Sequence, residues 1–94
     1  MHDLQQLVVK IIREQELVIG PLAWNEAGKV QGLRIVSKET AQIEFVESDR
    51  GRVIDRLVAQ YERLFGRASH EVCREAAASL VAHMAPAEIP SSLR

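Results

Sequence analysis

Leu4, Leu7, Val8, Ile11 and Ile12 recur at three- and four-residue spacing, with Gln5, Gln6, Lys10, Arg13 and Glu14 between them. This is the single apolar stripe of an amphipathic helix. Asp3 stands where an N-cap carboxylate accepts from a free backbone N–H of the first turn. Leu17, Val18 and Ile19 break the stripe just ahead of Gly20-Pro21. The helix is therefore expected to stop or bend around residues 15–19. A second helix is expected to begin at the proline, whose fixed φ suits the first helical position. It carries Leu22, Ala23, Trp24 and Ala27 and ends near Gly28.

The period then changes. Leu33-Arg34-Ile35-Val36 and Ala41 to Glu47 flank a polar loop, Ser37 to Thr40. In the second run Ala41, Ile43 and Phe45 alternate with Gln42 and Glu44, the pattern of a strand with one wet face. Two such runs around a short polar loop predict a β-hairpin, which needs helices beneath its apolar face to be stable. Ser48-Asp49 supplies a cap for a third helix, with Val53, Ile54, Leu57, Val58, Tyr61, Leu64 and Phe65 as its stripe and Gly66 as its stop. A fourth, from about Ser69 to Met84, turns Val72, Cys73, Ala76, Ala77, Leu80, Val81 and Met84 inward. Pro86 and Pro90 bracket an expected extended or disordered tail.

The fold class expected is thus α+β, one small domain over residues 1–85 with a tail over 86–94. Its order is α-α-β-β-α-α, with a central antiparallel hairpin packed on helices, the last two helices forming an antiparallel pair on one hairpin face. That element order resembles the bacterial histone-like DNA-bending proteins. A similar use of the hairpin would require long basic arms, whereas this one offers Arg34 and Lys38 against Glu39, Glu44 and Glu47.

Composition narrows the picture. Aromatics make up only 4% of the 94 residues, so aliphatic side chains must fill the core. The net charge of −1 lacks the basic excess that phosphate binding favours. Cys73 is the single cysteine and can close no internal disulfide. With an N-terminus that enters an amphipathic pattern directly, this points to a reducing, cytoplasmic setting. Apolar runs are too short to span a bilayer.

Candidate chemistry is sparse. His70 and Cys73 share a helical face and are the only weak metal candidates. His83 falls about 15 Å further along the axis at about 1.5 Å per residue, too far for the same ion. An inward structural cysteine beside a surface histidine is the commoner arrangement. No glycine pattern cradles phosphate, no residue set composes a catalytic centre, and no cofactor is expected. Arg52, Arg56 and Arg63 lie near one face of the third helix and could meet an anionic partner. Asp49, Asp55 and Glu62 interleave with them, as in a solvated face. Trp24 fits either a core edge or a contact hot spot.

The function expected from these features is a non-enzymatic protein-interaction or regulatory module. It would form a homodimer through its helices or a hairpin edge and possess a protein partner. Two alternatives belong to other classes. One is nucleic-acid binding by the arginine face. The other is a ligand-binding or enzymatic site at a subunit interface around Trp24, Tyr61, His70 and Cys73.

Overall fold

The first helix stops at the far edge of the window where its stripe breaks. In the computed structural model, α1 runs without interruption from Asp3 to Ile19. It ends at Gly20, which has φ 72 and donates its N–H to the Glu16 carbonyl. Leu17 and Val18, where the periodicity breaks, lie in its last turn and point into solvent. The structure describes residues 3–94 apart from the side chain of Asp3, so the capping role expected of that side chain lies outside the described residues.

Helix α2 (Leu22–Ala27) follows after Pro21. Strands β1 (Leu33–Ser37) and β2 (Gln42–Phe45) pair antiparallel, with Arg34 opposite Glu44 and Ile35 opposite Ile43. Helices α3 (Arg50–Phe65) and α4 (Arg67–Val81) complete the expected α-α-β-β-α-α order. Asp49 caps α3, its side chain accepting from the Arg52 N–H at 3.1 Å. Gly66, at φ 90, separates α3 from α4 and donates to the Glu62 carbonyl.

The helices α1, α3 and α4 build the body of the molecule, 32 × 27 × 20 Å in extent. Their apolar stripes meet in one cluster formed by Leu7, Val8, Ile11 and Ile12 of α1, Ile54, Leu57 and Tyr61 of α3, and Cys73, Ala76 and Ala77 of α4. Each fully buried aliphatic side chain contributes about 1.5–3 kcal/mol. Alanine at positions 76 and 77 leaves α4 free to approach its neighbours closely. Gln15, near the end of α1, donates to the Ser69 carbonyl at the start of α4. Gln6 and Val9, near the start of α1, line a cleft with Ser79 and Leu80, so the two helices run antiparallel.

The hairpin lies mainly on α1 and α2, not on the α3–α4 pair expected from sequence. Gln5 Nε2 donates to the Ile43 carbonyl at 2.9 Å, fastening β2 to α1. Gly32 enters the hairpin at φ 92 against Val53, and its carbonyl accepts from the Val46 N–H.

The tail also departs from expectation. Pro86–Glu88 and Ser91–Leu93 form two 3-10 turns, and the second rests on α3 and α4 with Leu93 buried. The prolines rule out a continuing helix but leave hydroxyl and carbonyl groups free to dock. The Ser91 and Ser92 hydroxyls and the Ser92 N–H donate to Asp55, and the Ser92 carbonyl meets His70.

Candidate functional site

The residues singled out in the sequence do not converge on one site. Trp24 is 6% exposed and belongs to the core cluster, so it anchors α2 and presents no contact surface. Tyr61 is fully buried and donates its hydroxyl to the Ala23 carbonyl at 2.7 Å, and burial raises its pKa far above the ordinary value. Neither side chain borders an accessible pocket with His70 and Cys73.

Cys73 is completely buried, and its sulfur accepts from Gln15 Nε2 at 3.3 Å. Desolvation pushes the thiol up to about 11, against the opposing effect of the Gln15 hydrogen bond. A thiol held neutral in this way is a poor nucleophile and a poor metal ligand. Gln15 is itself buried, and its Oε1 has no hydrogen-bond partner among the described residues. Its amide thus ties α1 to α4 at the expense of one unsatisfied acceptor.

His70 faces away from Cys73. Its Nδ1 lies 3.1 Å from Glu62 Oε1 and its Nε2 lies 2.7 Å from the Ser92 carbonyl. On the other side of Ser92, Asp55 Oδ1 accepts from the backbone N–H at 3.0 Å and from the hydroxyl at 2.5 Å. A histidine, a serine and an aspartate therefore meet, but not in the order that activates a nucleophile. The hydroxyl donates to the carboxylate directly, and the imidazole touches a backbone oxygen. The cluster is a clasp for the tail. Among the described residues no group of three or more His, Cys, Asp or Glu side chains is arranged to hold a metal ion.

The arginines of α3 divide. Arg56 Nη1 binds both carboxylate oxygens of Glu47 at 2.9 Å and the Gln31 carbonyl at 3.0 Å, bracing the end of the hairpin on the helix. Arg63 donates to Gln60 Oε1 at 2.9 Å. Gln60 and Lys29 in turn donate to Glu26, and these hydrogen bonds hold its carboxyl below the ordinary value. Arg52 is exposed. Of the three, Arg56 alone braces the fold, while Arg63 makes an exposed contact along its own helix.

Two surface features carry more information. At the end of the molecule where α1 finishes beside the start of α4, Leu17 is 81% exposed and Val18 64%. Leu22, at the first residue of α2, and Leu64, near the end of α3, are also exposed. Leu17 and Val18 border a shallow depression with Val72 and Ala76 of α4. Toward the other end of α1, a cleft of about 750 Å³ opens between α1, the hairpin and the last turn of α4. The sequence shows Leu17 and Val18 off the apolar stripe but does not register the cleft, because its walls come from three elements distant in the chain.

No known protein family, curated protein or solved structure matches this chain. Among the described residues no helix is long and apolar enough to cross a membrane.

Proposed function

We propose that this chain is a non-enzymatic protein-interaction module of regulatory type, which self-associates through the helical end formed by α1 and α4. The observation that carries this reading is the exposure of Leu17 and Val18, consecutive aliphatic residues on the last turns of a seventeen-residue helix. Burying each would contribute about 1.5–3 kcal/mol. A second copy supplies that cover economically, because in a two-fold contact every apolar side chain is used twice. Half-buried Val72 extends the same surface. The hairpin edge is less suited to self-pairing, since Gln5 already occupies the Ile43 carbonyl. A lone buried cysteine fits the cytoplasmic setting of such a module.

Sedimentation equilibrium across the micromolar range tests the reading. The native chain is expected to be a dimer, and Leu17→Asp or Val18→Asp should weaken association at least about tenfold. Both positions are solvent-exposed, so the helical circular dichroism should persist. A native chain that stays monomeric, or a dimer indifferent to both substitutions, would overturn the proposal.

A further inference from the structure

We propose that the cleft between α1, the hairpin and α4 is a binding site for an organic anion with an apolar body. Its volume, about 750 Å³, lies within the range of small-molecule sites, about 300–1,000 Å³. The position is separate from the apolar end assigned to self-association, although Lys10 stands on the ridge between the two depressions.

The chemistry of the walls selects the ligand class. Val9 from α1, Val36 and Ile43 from the hairpin and Leu80 from α4 give the cleft an apolar lining. Lys10 and Arg13, three residues apart on α1, project from one wall. Neither forms an ion pair among the described residues. The acidic residue of the lining, Glu44, is neutralised across the hairpin by Arg34 at 2.8 Å. The cleft therefore has two uncommitted cations facing a wall whose carboxylate is already matched. Gln6 and Gln42 add amide donors at the rim. A carboxylate or sulfonate would receive charge-assisted hydrogen bonds from Arg13 and Lys10 while its hydrocarbon portion covers Val36 and Leu80. A neutral hydrophobe gains only the second contribution, and a free inorganic anion only the first.

The test uses two probes with one aromatic skeleton. 8-Anilinonaphthalene-1-sulfonate carries the anion, and N-phenyl-1-naphthylamine lacks it. Fluorescence titration of the full chain is expected to show the sulfonate bound at least about tenfold more tightly. The double substitution Lys10→Gln and Arg13→Gln, at exposed helical positions, should abolish that preference while leaving the circular dichroism unchanged. Amide chemical-shift changes should centre on Ile43, Glu44, Ser79 and Leu80. Leu17→Asp should leave sulfonate binding intact, which separates this site from the association surface. Equal affinity for the two probes would overturn the proposal. So would an unchanged preference in the double variant, or shifts confined to residues 17–22.

Discussion

Ser92 donates twice to one carboxylate oxygen of Asp55, from its backbone N–H at 3.0 Å and from its hydroxyl at 2.5 Å. Ser91 adds a third hydrogen bond to the other oxygen at 2.9 Å. This relationship, with the His70 contact to the Ser92 carbonyl, positions Leu93 in the core. Hydrogen bonds to a charged acceptor are individually worth about 1.5–3 kcal/mol. Replacing Asp55 with Ala should therefore cost about 2–4 kcal/mol, counting part of the Leu93 burial. Urea unfolding measures the loss. Faster carboxypeptidase removal of residues 91–94 would show that the tail is what has been released, and unchanged protection would contradict the clasp.

Two glycines with similar φ should respond differently to substitution. At Gly32, φ 92, an added Cβ would lie 2.7 Å from Val53 Cγ2 and 3.0 Å from Glu47 Cδ. At Gly66, φ 90, it would meet nothing within 4 Å. Gly66→Ala should cost the backbone strain alone, about 1–3 kcal/mol for the glycine-only region of φ 90 and ψ −179. Gly32→Ala adds overpacking of about 1–3 kcal/mol and displaces Glu47 from Arg56. Thermal or urea denaturation of both variants measures the difference, and equal losses would show that the space around Gly32 can relax.

Burial of Cys73 makes stability depend on alkaline pH. The thiol ionises near 9.0 in the unfolded chain and only at about 11 in the native one. Its contribution is thus complete below about pH 9 and declines as pH rises through 11, with about 1.4 kcal/mol lost by pH 10. Tyr61, also raised by burial, extends the decline above its ordinary value of 10.0. Unfolding midpoints of the native chain and Cys73→Ala between about pH 7 and 10 should diverge in slope, the variant being the flatter. Parallel profiles would show that the thiol is not held neutral.

Where a single period governs an element, the sequence reveals it. The stripe of α3 from Val53 to Tyr61 is buried throughout, and Asp49 and Gly66 bound it as their chemistry suggests. The hairpin is equally legible, since Gln42 and Glu44 are exposed while Ile43 is buried. Difficulties arise where an apolar residue is not inward. Leu17 and Val18 announce the end of α1 correctly but give no hint that they stay uncovered, and Leu64 leaves the stripe of α3 because the pattern assumes that apolar positions share a face. The tail resisted reading because its order derives from polar contacts to Asp55 and His70, 36 and 22 residues away, which no local period records. The cleft is the extreme case: Arg13, Ile43 and Leu80 become neighbours only through the tertiary fold.

The antiparallel contact of α1 with α4 also bears on how the chain reaches this state. Gln15 meets Ser69 across a sequence separation of 54 residues, and the core is sealed by Leu93. During synthesis α1 can pack on α2 and the hairpin as they emerge, but the side of its stripe that meets α4 stays uncovered until that helix is made. The fourth helix and Leu93 thus complete a core that the earlier elements begin.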